Sequence, residues 1–242
     1  KNRIEIAIRD YQAKNKIVLA EQQREAIRQL FQNNLLILTG GPGTGKTTVT
    51  KAMIDIYSKY HPNHEIGLAA PTGRAARRLE EATGKPAQTI HSMIGKTPEG
   101  NPLHNKENPL VYDLIIIDEV SMMDIQLAND FLNAVRSSTK IVFVGDVDQL
   151  SSVGAGNFLK DMIEAGLPTI KLTEIFRQAQ ESQIITNAHR VNRGLPIVID
   201  EAKRDFYFLH YEDTEKIADM IKRSVLRFIE LGYSIQDILV LS

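Results

Sequence analysis

Apolar and polar positions along this chain follow two periods, and the two periods take turns. Short apolar runs at Leu35–Thr39, Ile66–Ala70, Leu114–Ile117, Ile141–Val144 and Thr169–Leu172 have the length of buried strands. Between them apolar residues recur with helical spacing. Val49, Ala52, Met53, Ile56 and Tyr57 make one stripe, and Leu127, Ala128, Phe131, Leu132 and Val135 make another. An earlier helix carries Ala26, Ile27, Leu30 and Phe31 on one face, with Gln23 at its leading edge. Strands and helices in alternation predict an α/β protein with a mainly parallel sheet. The stretch GKTPEGNPLHNKENP, residues 95–109, breaks both periods and is predicted to be a long loop.

After about residue 170 a shorter alternation begins: a helix near Ile184–Val191, a strand near Phe206–Leu209, a helix near Ile217–Leu231 and a strand at Ile238–Leu241. Asp213 or Thr214 is the expected cap of the long helix. The predicted division is a remnant at 1–18, a first domain over 19–168 and a second domain begun in 169–242. A start at Lys1 instead of methionine and an end directly after DILVLS together suggest a fragment of a longer protein.

Composition narrows the classes. Apolar residues at 43% suit a globular core, and the absence of cysteine removes disulfides and cysteine-ligated zinc. The charged start and the lack of any apolar run near ~20 residues predict a cytoplasmic protein with no membrane partner. With 29 basic against 30 acidic side chains, any polyanion partner must be met by local contacts.

The candidate chemistry sits where strands end. Gly40 to Thr47 spell G-x-x-x-x-G-K-T between a strand and an amphipathic helix, the context of a phosphate-binding P-loop. Around Pro42, backbone N–H groups of Gly41, Gly43, Thr44 and Gly45 would wrap the phosphates, helped by the helix N-terminus at Lys46, Thr47 and Thr48. Lys46 is expected to reach the β- and γ-phosphates of ATP, and the Thr47 hydroxyl to bind Mg²⁺. In LIIIDEVSMM an apolar strand ends in Asp118 and Glu119. Asp118 suits Mg²⁺, and Glu119 suits deprotonating water, which favours hydrolysis over transfer to a substrate; the alternative is two solvated acids at a strand end. Gln149 in IVFVGDVDQL repeats the layout and is placed to touch the γ-phosphate or the attacking water, unless the segment is a simple turn. Thr72, Gly73 and Arg74 follow a strand and open a helix, where amides can meet a phosphate; Arg77 and Arg78 are balanced by Glu80 and Glu81, as on a solvated helix.

Taken together these segments resemble the superfamily 1 helicases, in particular the RecD-like group that includes the exodeoxyribonuclease V alpha subunit. LAEQQREA looks like the family's Q-type motif and LTGGPGTGKTT its first motif; AAPTGRAARRL is similar to motif Ia and TIHSMIG to the segment after it. IIIDEVSMM resembles motif II, VGDVDQLSSVGAG motif III and LTEIFRQ motif IV, so the likeness covers about residues 19 to 195. It implies a P-loop NTPase with a RecA-like sheet domain followed by part of a second. It also implies that Gln23 reads adenine, that Arg177 is an arginine finger reaching from the second domain, and that Pro71, Thr72, Gly73, Arg74, Thr89 and His91 meet single-stranded DNA. The implied activity is an ATP-dependent, 5′→3′ helicase, and the implied partners are single-stranded DNA and other subunits of a recombination nuclease complex. Motifs V and VI are missing, so this chain alone is expected to bind nucleotide, hydrolyse it poorly and not unwind duplex. Two rivals stay open: a P-loop ATPase that remodels proteins or packages DNA, and an inactive nucleotide-binding subunit acting as a scaffold in a nuclease complex.

Overall fold

All five predicted strands of the first alternation form, and a two-residue strand joins them. The computed structural model describes residues 2–96 and 100–241, so positions 97–99 of the predicted loop lie outside the described residues, as do Lys1 and Ser242. In chain order the elements are α1 (Asn2–Asn15), α2 (Glu21–Gln32), β1 (Leu35–Gly40), α3 (Lys46–Tyr60), β2 (Ile66–Ala70) and α4 (Gly73–Thr83). There follow β3 (Gln88–Thr89), α5 (Ile90–Met93), β4 (Leu114–Ile117), a 3₁₀ turn (Val120–Met122), α6 (Ile125–Ala134) and β5 (Lys140–Gly145). Then come α7 (Phe158–Glu164), β6 (Thr169–Leu172), α8 (Arg177–Gln180) and α9 (Gln183–Asn192).

The strands make one parallel sheet in the order β3-β2-β4-β5-β1-β6. Because strand side chains alternate faces, each strand feeds two cores. Leu36, Leu38, Leu68, Leu114, Ile116, Val142 and Val144 pack under α1, α2 and α3, whereas Ile37, Ile115, Ile117 and Phe143 pack under α5, α6 and α7. The helix after β1 therefore lies on the opposite face from the helix after β5, and these two strands are neighbours. Their adjacent C-terminal ends form the topological switch point, the crevice where open α/β sheets bind ligands. The helical stripes behave as their spacing predicts: Val49, Ala52, Met53, Ile56 and Tyr57 are all buried. On α6 the buried set is Leu127, Ala128, Phe131 and Ala134; the predicted Leu132 is exposed.

Three expectations about organisation change. The stretch set apart as a remnant is part of the core: Ala7, Ile8 and Tyr11 of α1 are buried in the same cluster as α2 and α3, and Arg28 of α2 is ion-paired to Glu5. The strand expected to open a second domain is β6, which pairs with β1 in register Ile37↔Thr169 to Gly40↔Leu172 as the edge of the first sheet. The chain divides later, into units Lys1–Ile197 and Val198–Ser242. In the second unit α10 (Thr214–Glu230) forms, capped by the Asp213 side chain, which accepts from the Glu215 N–H at 2.9 Å. The strands predicted at Phe206–Leu209 and Ile238–Leu241 do not form. A strand is stabilised by its neighbours, and no described residue of 198–241 is buried.

Candidate functional site

β1 ends in Gly40, and the chain turns through Gly41–Gly45 before α3 begins at Lys46. The turn depends on two left-handed residues, Gly43 (φ 76°) and Gly45 (φ 79°), a conformation that costs a side-chain-bearing residue about 1–2 kcal/mol. Thr44 is buried, and its hydroxyl donates to Gly41 O at 2.7 Å, closing the loop on itself. Lys46 Nζ donates to Gly40 O and Gly41 O, so the ammonium group lies along the loop. Thr47 and Thr48 stand exposed in the first turn of α3, as does Pro42 in the loop.

Gln23 is buried at the start of α2. Its Oε1 accepts from the Ala20 N–H at 3.0 Å and its Nε2 donates to Gly45 O at 3.3 Å, so it ties that helix to the loop. An adenine reader would have to share an amide already engaged in this way, with its second N–H still to offer.

Across β5, the C-terminal end of β4 presents Asp118 and Glu119. Burial pushes the Asp118 carboxyl up to about 6, and the Glu119 charge adds to this; the Glu119 N–H, which donates to Asp118 Oδ1 at 2.9 Å, and the Lys46 ammonium pull the other way. Glu119 itself has φ 55° and ψ 39°, left-handed without being glycine, and leads into the 3₁₀ turn. Strain of this kind concentrates where a side chain must be aimed. The donor set fits Mg²⁺: a hydroxyl and a carboxylate are hard oxygen ligands, and a buried carboxyl held near 6 is short of positive charge.

Gln149 is exposed after β5 and shares a cleft of about 450 Å³ with Gly41, Pro42 and Thr44, and with Asp146, Lys171, His189 and Arg193. Arg177 opens α8 and is exposed; the flanking Phe176 and Ala179 lie against the loop, since a Cβ on Gly45 would come within 2.8 Å of Phe176 and one on Gly43 within 2.5 Å of Ala179. Arg177 thus belongs to the same unit as the loop, not to a second domain as expected. The other candidates gather elsewhere along the sheet edge. Thr72 caps α4, accepting from the Ala75 N–H, and Thr89 caps α5, accepting from the Ser92 N–H. β2 and β3 pair at Ala70↔Thr89, which brings Pro71–Arg74 beside Thr89–His91, with Thr72, Arg74 and His91 exposed. β4 and β5 separate this group from β1.

Two contributors carried no sequence signal. Thr39 on β1 is buried and its hydroxyl accepts from the Val147 N–H at 3.1 Å, fastening the two strand ends of the switch point. His189 is a lone histidine in a helical stretch, yet its Nε2 lies 2.9 Å from Pro42 O. Neither partnership is visible without the fold.

Comparison with known proteins gives consistent relatives. The profile of a family described as AAA domain matches residues 23–155. The ATP-dependent RecD2 DNA helicase of Deinococcus radiodurans is 47% identical over 176 residues, which are 73% of this chain and 24% of that protein. The RecBCD enzyme subunit RecD of Mycolicibacterium smegmatis is 37% identical over 186 residues, 66% of this chain and 34% of that one. The chain therefore spans roughly a quarter to a third of the length of these two relatives. In fold it is similar to the crystal structure of Pif1 helicase from Candida albicans, with a TM-score of 0.60 and 24% identity over 90% of this chain and 56% of that one.

Proposed function

This chain belongs to the AAA domain family, in the RecD-like group of superfamily 1 helicases, and from that premise we propose that it is the nucleotide-binding part of an ATP-dependent DNA helicase. One observation carries the reading. A single parallel sheet bears at its C-terminal edge both a P-loop, whose Lys46 acts on the half-buried Asp118 beside Glu119, and a cap-rich edge around the exposed Thr72 and the half-buried Thr89.

In this reading Gly41, Pro42, Gly43, Thr44, Gly45, Lys46, Thr47 and Thr48 hold the phosphates of ATP, and Gln23 lies beside the base. Lys46 leaves the carbonyls of Gly40 and Gly41 for the β- and γ-phosphates. Thr47 and Asp118 would hold Mg²⁺, which would supply neutralisation of phosphate charge. Glu119, aimed by its left-handed backbone, takes the proton of the attacking water, and Gln149 senses the γ-phosphate. Arg177 meets the developing charge from α8. Pro71, Thr72, Gly73, Arg74, Thr89 and His91 grip the backbone of single-stranded DNA, with Lys1–Ile197 acting as one motor lobe and the stretch from Val198 opening a second. Translocation runs 5′→3′, and the whole protein works in the cytoplasm, alone or with subunits of a recombination nuclease; no helix of the described residues is long and apolar enough to cross a membrane.

The test is ATP hydrolysis by the full-length protein with and without oligo(dT). Single strands raise the rate, and Lys46→Ala reduces it to background. A rate indifferent to oligo(dT) would favour a protein-remodelling ATPase, and nucleotide binding without hydrolysis would favour a scaffold subunit. Strand displacement on substrates with 5′ or 3′ tails reads the polarity.

A further inference from the structure

The P-loop is held from a side that none of its own motif residues occupies. Two consecutive loop peptides present their carbonyls to the segment that carries α8 and α9. Gly43 O accepts from the Phe176 N–H at 3.1 Å, and Pro42 O lies 2.9 Å from His189 Nε2, although 147 positions separate that pair in sequence. A carbonyl oxygen only accepts, so His189 carries its proton on Nε2 in this contact. In a trans peptide the C=O and the N–H of one plane point in opposite directions. Outward carbonyls on Pro42 and Gly43 therefore turn the N–H groups of Gly43 and Thr44 the other way, away from α8 and α9. Neighbouring amides turned to one side are what an anion-binding nest is made of.

The loop leaves room for this ring. A Cβ added to Gly41 would come within 2.7 Å of His189 Cε1, so glycine at 41 is what lets the imidazole close on the backbone. Ile185, one turn earlier on α9, lies against Gly43 in the same way, 3.2 Å from where a Cβ would stand.

We propose that His189 is a positioning residue for the phosphate cradle: by holding the Pro42 carbonyl outward it keeps the amides of Gly43 and Thr44 aimed at the phosphates of a nucleoside di- or triphosphate. This rests on the reading of the loop as a nucleotide site. It makes nucleotide affinity depend on α9, the last helix before the chain enters its second unit.

The experiment titrates a fluorescent N-methylanthraniloyl-ADP into the chain and its variants, with thermal melting followed in parallel. His189→Ala binds about tenfold more weakly, the scale of one lost charge-free hydrogen bond plus loop reordering, with little change in melting. His189→Gln, whose amide N–H can replace the Nε2 donor, binds within about threefold of the parent. Gly41→Ala alone is weakened because its methyl displaces the ring. Combined with His189→Ala it is no weaker than His189→Ala by itself, the coupling expected of residues that act through one contact. Binding by His189→Ala at the parental level, while Lys46→Ala loses it, would overturn the positioning role and leave the nucleotide site standing. Equal weakening in the Ala and Gln variants with a matching fall in melting temperature would make the histidine a packing residue and overturn it as well. Parental binding by Lys46→Ala would instead remove the nucleotide reading itself.

Discussion

The two ends of the same sheet edge are built in opposite ways. Around β1 the loop is cross-braced by residues from far along the chain: Gln23 on Gly45 O, Phe176 N–H on Gly43 O, Thr39 on Val147 N–H. Around β2 and β3 the side-chain hydrogen bonds of the two candidate threonines are local, each capping the helix it precedes, and Thr72, Arg74 and His91 are open to water while Thr89 is half-buried. A compact ligand with fixed phosphate geometry rewards a rigid, preassembled cradle, because ordering is completed before binding. A flexible polyanion does not need one, since its affinity comes chiefly from releasing counterions. The difference predicts large, geometry-dependent mutational effects at the first end and small, salt-dependent ones at the second.

The largest effect falls on Gly45→Ala. The residue is left-handed at φ 79°, and a Cβ there would stand 2.3 Å from Gln23 Nε2 and 2.8 Å from Phe176. Backbone cost and overpacking together come to about 3 kcal/mol, so nucleotide affinity drops on the order of hundredfold. The binding titration checks this, and a loss under threefold would contradict the cross-braced cradle.

Asp118→Asn sharpens the same contrast through stability. Burial raises the folded carboxyl to about 6 from 3.8. A raised carboxyl favours the folded state only while protonated, so its benefit is complete below pH 3.8 and is lost as the pH climbs through about 6. Above that, the native chain bears the cost of an ionised buried acid. Asparagine avoids it, so the variant is more stable by about 2–3 kcal/mol at pH 8 and by almost nothing near pH 3.5. Urea unfolding at the two pH values measures the gap, and nucleotide hydrolysis by the full-length protein falls sharply. Equal stability at pH 8 would mean that the carboxyl is not short of positive charge.

How much of this was legible in the sequence depends on where the partners lie. LIII at 114–117 and ILVL at 238–241 read alike, yet the first forms a strand and the second does not. The first lies between β2 and β4's other neighbour β5 with every side chain buried, while the second has no strand beside it among the described residues. Local pattern states what a segment is able to become; neighbours decide. The same rule explains β6: its run is readable in sequence, but its place beside β1 is not, and the chain divides after Ile197, beyond the position its local pattern suggests. The P-loop segment and the Asp118-Glu119 pair stand out as candidates because each is contiguous in sequence. Gln23's bond to Gly45 and the His189 contact are not contiguous, and only folding brings them together.

The smallest effect belongs to Arg74→Ala, and it tests the open end most directly. Arg74 is exposed in the first turn of α4, so removing its side chain disturbs packing little. If it contributes one phosphate contact, the slope of log affinity against log salt for oligo(dT) falls by about 0.7 and affinity at moderate salt drops only about threefold. Fluorescence anisotropy of labelled oligo(dT) across a salt series, with the full-length protein, reads both numbers. A large loss of affinity with an unchanged slope would mean that Arg74 sits in a geometric site like the P-loop, and that the two ends of the sheet recognise their ligands by the same means.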